Sequence, residues 1–262
     1  MEDRKAFIVG ISGASSSGKT TLARLLRDVF PNTFILHEDD FYKAETELPT
    51  REGFLDWDCA EAISIPDMKR ALEHIRAHGT FPPFVDSKED QNSIGSCPVS
   101  DTAIAAAKAK VDAWTQPGQP GHSIISSKLR TCLLDGFLLY SPPLETGQVP
   151  PLLDTKLFLL VSRARATQRR ERRDGYVTLE GFWTDPPGYV DKVVWPNYVS
   201  AHAALFKDSD VEGALDEAVL REKGIQAQVG KGLDVGMETT FTWAVDTVMR
   251  ELEKFAEGKG DA

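Results

Sequence analysis

Apolar and polar positions along the chain alternate between two spacings, one of strands and one of helices. Residues 6–12 (AFIVGIS) form a nearly continuous apolar run, as expected for a strand buried on both faces of a parallel sheet. Gly13 to Gly18 is a small Gly/Ser-rich turn. From Lys19 the spacing changes. Leu22, Leu25, Leu26 and Val29 recur at i, i+3, i+4 and i+7, which predicts a helix that Pro31-Asn32 stops. Residues 33–37 (TFILH) predict a second strand. Residues 66–78 predict a helix with Met68, Leu72 and Ile75 on one face and Gly79 at its end. Two further buried strands are predicted at 129–134 and 155–162, the second running straight into an Arg-rich helical stretch. Residues 240–255 predict a C-terminal helix.

Strands alternating with helices at these separations imply an α/β fold with a mostly parallel, doubly wound sheet. Two segments break the alternation. Residues 81–128 carry Pro82-Pro83, Pro98 and a Pro-Gly cluster at 117–121 around one alanine-rich helical patch, 103–114. They read as an insertion on the sheet within a single domain spanning 1–262. Residues 207–236 are likewise polar and Gly-rich, and no internal repeat is present.

The 262 residues hold 30 basic and 40 acidic side chains, a net charge of −10. That balance argues against a nucleic-acid partner, which would need a basic face. The first residues lack the apolar run of a signal peptide, and no stretch approaches the 18 or more apolar residues of a membrane span. Cys59, Cys97 and Cys132 are scattered without paired spacing, so they suit reduced thiols. The expectation is a cytoplasmic protein with no membrane partner.

Gly13-Ala14-Ser15-Ser16-Ser17-Gly18-Lys19-Thr20 matches G-x-x-x-x-G-K-[ST] without a mismatch, and Thr21 follows. Glycines let the backbone curl so that successive N–H groups point at phosphate oxygens, and the helix after the loop adds its positive end. Lys19 can reach the β- and γ-phosphates, and the Thr20 hydroxyl can ligate Mg²⁺. A strand before and a helix after make this a P-loop for ATP and magnesium. The guanine-reading N/T-K-x-D, the L-S-G-G-Q of transporter ATPases and the H-R-D and D-F-G sets of protein kinases are absent from the sequence. A kinase of small molecules remains.

Three acidic sites and one basic run complete the chemistry. Asp39-Asp40-Phe41-Tyr42 follows a predicted strand, where a carboxylate can face the γ-phosphate and accept a hydroxyl proton. In Gly53-Phe54-Leu55-Asp56-Trp57-Asp58, Trp57 can stack on a flat ring while Asp58 accepts from vicinal hydroxyls; a helix N-cap beside a core Trp would read the same way. Asp135 ends a strand as a Walker B carboxylate does and can hold the magnesium shell. Residues 163–173 hold six arginines and one glutamate, a local +5 that leaves −15 on the rest. This run suits a lid, at about 163–188, that stabilises charge on the transferring phosphoryl group.

Taken together, GISGASSSGKTTLA (10–23), HEDDFYK (37–43), GFLDWD (53–58), LLDGFLLY (133–140), RRERRDGY (169–176) and DPPGYVDKVVWPNY (185–198) resemble the nicotinamide riboside kinases, within the uridine-kinase-like group of P-loop kinases. The resemblance spans about three quarters of the chain, and the 81–128 and 207–236 segments resemble those of longer fungal-type members. It implies a catalytic pair of Asp39, as base, and Lys19. Thr20, Asp39 and Asp135 would surround magnesium. Gly13, Ser15, Ser16, Ser17, Gly18, Lys19, Thr20, Thr21, Arg169, Arg173 and Gly175 would bind ATP. Asp39, Asp40, Phe41, Tyr42, Trp57, Asp58, Arg170 and Tyr176 would bind the nucleoside, with Asp58 on the ribose hydroxyls and Trp57 and Tyr176 around the nicotinamide ring. The family often has Tyr where Trp57 stands and Glu where Asp135 stands. Uridine or cytidine kinase activity, and a nucleotide-sensing module without turnover, are the alternative readings.

Overall fold

Every residue of the first strand, β1 (Ala6–Gly13), is buried, because the strand has protein on both faces. Ala6 and Ile8 enter one core layer while Phe7, Val9 and Ile11 enter the other, so alternate residues serve opposite faces of the sheet. The computed structural model describes residues 4–87, 95–172, 175–178 and 181–258, with 176–178 described by their backbone.

The P-loop joins β1 to α1 (Lys19–Val29), and β2 (Thr33–His37) follows. Two short strands, β3 (Thr50–Arg51) and β4 (Phe54–Leu55), form a hairpin before α2 (Ile65–His78). Next come α3 (Asp101–Trp114), α4 (Pro120–Ser126), β5 (Arg130–Asp135) and α5 (Pro142–Thr146). Then β6 (Thr155–Leu159) leads into α6 (Arg163–Glu171), capped by the Ser162 hydroxyl on Arg165 N–H. A second hairpin, β7 (Tyr176–Thr178) and β8 (Gly181–Trp183), precedes α7 (Trp195–His202). The chain closes with α8 (Glu217–Lys223), β9 (Ile225–Ala227) and α9 (Met237–Ala256).

Five strands pair in the order β2-β5-β1-β6-β9, and all these pairings are parallel. Register sets the site: Ile11 and His37 both lie opposite Asp135, so β2 and β5 end level with one another and β1 runs two residues further to Gly13. In an open α/β sheet ligands sit beyond those ends. One layer packs α1, α3, α4 and α9 through Leu22, Leu26, Val111, Trp114, Ile124, Phe241, Val245 and Val248. The opposite layer is built on α2 and α7 with Met68, Leu72, Ile75 and Tyr198. Within the 81–128 segment, α3 and α4 dock on α1 and α9, and the Trp114 indole N–H donates to Glu253 at 2.6 Å. The expected strand 155–162 ends at Leu159, since the next residues turn to place the Ser162 cap. Within 207–236 the structure adds α8 and the edge strand β9. Among the described residues no helix is long and apolar enough to cross a membrane.

On α7, His202 is fully buried against Phe158 and Tyr198, with ring centroids 5.4 and 4.8 Å away. Its Nδ1–H donates to the Tyr198 carbonyl at 3.0 Å, and Nε2 has no partner among the described residues. Burial pushes the imidazole pKa down to about 4, so the folded protein holds it neutral. The unfolded chain takes up the proton below about 6.5. The group's contribution is therefore present above pH 6.5 and lost as pH falls towards 4, amounting to about 3 kcal/mol in full. His202→Phe is expected to flatten this part of the acid limb in a plot of Tm against pH.

Candidate active site

The phosphate loop is held open by backbone geometry. Gly13 has φ 144°, and a Cβ there would stand 2.4 Å from the Leu159 carbonyl oxygen. Ser16, at φ 64°, is a non-glycine residue in the left-handed region. Lys19 folds back over the loop and donates from Nζ to the Ala14 carbonyl at 2.9 Å. The hydroxyls of Ser12, Ser16 and Ser17 are buried and have no hydrogen-bond partner among the described residues. Buried donors lacking acceptors are costly unless a ligand supplies them, and a polyphosphate is rich in acceptors. Arg169 reaches in from α6, donating to the Ser16 carbonyl at 3.1 Å.

Beside the loop, the Thr20 hydroxyl donates to Asp135 Oδ2 at 2.5 Å, and His37 Nδ1 lies 2.5 Å from Oδ1. Burial pushes the Asp135 carboxyl up, but His37, Thr20 and the Lys19 charge outweigh it and hold it below the usual carboxylate range. Thr20 and Asp135 are hard oxygen donors, as Mg²⁺ prefers. Among the described residues no group of three or more His, Cys, Asp or Glu forms a metal cage.

After β2 the chain makes one 3₁₀ turn, Glu38–Phe41, that sorts three consecutive acids by environment. Asp39 is exposed and Asp40 half-buried, whereas Glu38 is fully buried. Glu38 Oε2 accepts from Leu138 N–H at 3.0 Å and sits where a Cβ on Gly136 would clash, at 2.3 Å. Burial, reinforced by the neighbouring Asp39 charge, raises the Glu38 carboxyl to about 8 against the pull of Leu138 N–H and Lys19. Phe41 points into the core with Ile63 and Met68.

On the other side of the loop, Arg170 organises a second group of residues. Its NH1 and NH2 grip the two oxygens of Asp58 at 2.7 and 3.0 Å. Nε and NH2 bind Asp185 at 2.6 and 3.1 Å, and NH1 also donates to the Ser15 hydroxyl at 2.8 Å. All five guanidinium N–H donors therefore have an acceptor. Trp57, preceding Asp58, donates its backbone N–H to the Tyr189 hydroxyl at 3.0 Å. Tyr42 meets the Trp57 ring edge-on at 5.2 Å, and Trp183 lies against it at 5.8 Å.

Beneath this group Asn197 donates to both oxygens of buried Asp56 at 2.8 and 2.9 Å, and accepts from Arg51 at 2.6 Å. A π-helical turn, Val190–Val194, leads into α7 and presents Tyr189 and Asn197 to the site. Pro196, two residues past the turn, has no N–H for a regular helical bond, so a widened turn is tolerated there. Asn197→Asp would set a second carboxylate against buried Asp56. It is expected to cost at least about 2 kcal/mol and to lower Tm by roughly 4 °C or more, read by thermal unfolding at pH 7.

Of the residues expected from sequence, Lys19, Thr20 and Asp135 meet beside the loop, while Tyr42, Trp57, Asp58 and Arg170 meet across it. Ser15 touches both groups through Arg170. Arg173 lies outside the described residues. The side chain of Tyr176 does too, although its backbone pairs in register with Trp183. Sequence reasoning missed Glu38, Arg51, Trp183, Asp185, Tyr189 and Asn197. Four of these fall in or beside DPPGYVDKVVWPNY, where aromatic, proline and lone polar residues crowd together without a helical or strand period.

A recess opens beside the loop, lined by Ser17, Leu160, Arg169, Gln228, Asp234 and Met237. No family model matches the chain. Individual relatives do. It is 34% identical to the nicotinamide riboside kinase of Schizosaccharomyces pombe over 250 residues, 95% of this chain and 99% of that protein. The chain belongs to the nicotinamide riboside kinase family. It is 30% identical to the Saccharomyces cerevisiae member over 95% of this chain and 98% of that protein. Human nicotinamide riboside kinase 1 is 29% identical over 74% of this chain and 76% of its own. Two fungal members of the nicotinamide riboside kinase family thus match nearly end to end, and the chain is a nucleoside kinase.

Proposed function

We propose that the protein transfers the γ-phosphate of ATP to the 5′-hydroxyl of nicotinamide riboside, giving nicotinamide mononucleotide and ADP. One observation carries this reading beyond family membership: Arg170 joins Ser15 of the phosphate loop to Asp58, beside Trp57, so donor and acceptor subsites share one guanidinium.

In this reading ATP lies along the loop, with the orphaned serine hydroxyls and Lys19 meeting its phosphates and the base entering the recess near Gln228 and Met237. Arg169 lies within reach of the same phosphates. Thr20, Asp39 and Asp135 would hold magnesium, which would supply positive charge to offset that of the phosphates. Asp58 accepts from the ribose 2′- and 3′-hydroxyls, aided by Arg170, with Tyr42 on the same wall. Asp39 takes the proton of the 5′-hydroxyl as its oxygen bonds to the γ-phosphorus and the bond to the ADP oxygen breaks. Lys19 and the arginines of α6 stabilise charge in that loose transition state.

The walls near Asp58 favour nicotinamide over a pyrimidine. Tyr42, Trp57, Trp183 and Tyr189 supply aromatic faces, which suit a flat cationic ring by stacking and cation–π attraction. Lys19, Thr20 and Asp39 are all present, as turnover requires and a passive nucleotide sensor does not. The test is direct: incubate the protein with Mg²⁺-ATP and either nicotinamide riboside or uridine, and follow product by mass. Faster formation of nicotinamide mononucleotide is expected. Faster uridine monophosphate would support the pyrimidine reading, and no product with either would support the sensor.

A further inference from the structure

The pairing of β2 with β5 closes on a single rung. His37, the last residue of β2, lies opposite Asp135, the last of β5, and its Nδ1 sits 2.5 Å from Asp135 Oδ1. Past that rung a side chain joins the two segments. Glu38 is fully buried, and its Oε2 accepts from Leu138 N–H at 3.0 Å. The carboxyl fills the space beside Gly136, where an added Cβ would stand 2.3 Å from Oε2 and 2.7 Å from the Glu38 Cβ. The far end of the same 3₁₀ turn is anchored separately. Phe41 enters the core with Ile63 and Met68, and its carbonyl accepts from Ser64 N–H at 2.8 Å. Asp39 lies exposed between these two anchors, directly after Glu38.

No step of the transfer uses Glu38 directly. Burying a carboxyl is unfavourable unless hydrogen bonds compensate, and an apolar side chain of the same length would fill the space without that penalty. The bond it makes runs from the turn bearing Asp39 to the loop leaving Asp135, and Asp135 in turn holds the Thr20 hydroxyl of the phosphate loop. We propose that Glu38 is a positioning residue for phosphoryl transfer, pinning the turn that carries Asp39 to the loop after β5 and so fixing the base relative to the Thr20–Asp135 pair. Gly136 is its seat, since any side chain there would push the carboxyl out. The inference rests on the reading of Asp39 as base. Successive Cα atoms are about 3.8 Å apart, so a displaced Glu38 carries Asp39 with it. A misplacement of about 1 Å can lower a rate on the order of 10²-fold. Glu38 acts through Asp39 alone, which separates it from a residue that merely stabilises the fold. Once residue 39 cannot take a proton, the exact seat of the turn no longer affects proton removal.

The experiment is a double-mutant cycle on kcat at saturating Mg²⁺-ATP and nicotinamide riboside. It uses wild type, Glu38→Met, Glu38→Gln, Gly136→Ala, Asp39→Asn and the paired Glu38→Met/Asp39→Asn protein, with both KM values and Tm recorded for each. Met matches Glu in length but offers no oxygen, and is expected to lower kcat at least about tenfold with both KM values within about threefold of wild type. Gly136→Ala, which displaces the carboxyl without removing it, is expected to lower kcat in the same way. Glu38→Gln keeps a carbonyl for Leu138 N–H and is expected to bring kcat back to within about threefold of wild type. In the Asp39→Asn background, Glu38→Met is expected to lower kcat by less than about threefold, because the two residues act as one unit. Unchanged kcat in both Glu38→Met and Gly136→Ala, no recovery in Glu38→Gln, or an undiminished loss in the Asp39→Asn background would overturn the assignment. Retention of more than a tenth of wild-type kcat by Asp39→Asn would instead overturn the reading of Asp39 as base. Faster turnover of uridine than of nicotinamide riboside by the wild type would overturn the choice of substrate and leave the cycle to be read with uridine.

Discussion

Replacing Asp39 by Asn is expected to lower kcat with nicotinamide riboside by about 10²- to 10⁴-fold, the usual contribution of a positioned general base. Asn has nearly the same shape but cannot take the hydroxyl proton. Asp39 is exposed on the 3₁₀ turn after β2, so thermal unfolding should be almost unchanged. The adjacent acid offers no rescue. Glu38 has its carboxyl raised to about 8, protonated at neutral pH, and one oxygen is engaged by Leu138 N–H. A burst experiment at saturating substrates would place the loss in the chemical step. Retention of more than a tenth of wild-type kcat would remove Asp39 from the role of base.

Asp58→Asn should act on affinity instead. Asn retains one carbonyl acceptor but loses the charge and the second oxygen, so one charge-assisted bond to the ribose disappears. At about 1.5–3 kcal/mol for such a bond, KM for the riboside should rise about 10- to 150-fold. Arg170 keeps its two contacts with Asp185, so the guanidinium is not left as a bare buried charge and the protein should remain folded. KM for ATP is expected to stay within a few-fold. Saturation curves for each substrate check this; if both constants rose together, Asp58 would be acting through Arg170 on the phosphate loop and not on the ribose.

The parts of the fold legible in the sequence are those whose burial is written locally. Strands β1, β2, β5 and β6 have protein on both faces, which leaves short, mostly apolar runs, and α1, α2 and α9 show a helical stripe. The edge strand β9 leaves little trace: it has three residues, of which Ile225 alone is fully buried. The site divides in the same way. The phosphate loop is one contiguous octapeptide, so its chemistry can be read directly. The Arg170 assembly depends on partners 112, 15 and 155 positions away, and no local pattern encodes which of six arginines will occupy that point. Glu38 makes the same point on a smaller scale. Three acids in a row look equivalent until the packing of Gly136 and Leu138 buries one of them.

The full set of acceptors around Arg170 has a consequence for how the two substrates influence each other. With every N–H engaged, a riboside hydroxyl or a phosphate oxygen gains this guanidinium only by displacing Ser15, Asp58 or Asp185. Any such exchange changes how firmly the remaining partners are held. In the proposed reading, ATP arriving at the Ser15 side and riboside arriving at the Asp58 side would therefore not bind independently. Whatever factor one substrate applies to the affinity of the other must be returned in full, because linkage is reciprocal. One arginine thus ties the affinities of two subsites together through the fold.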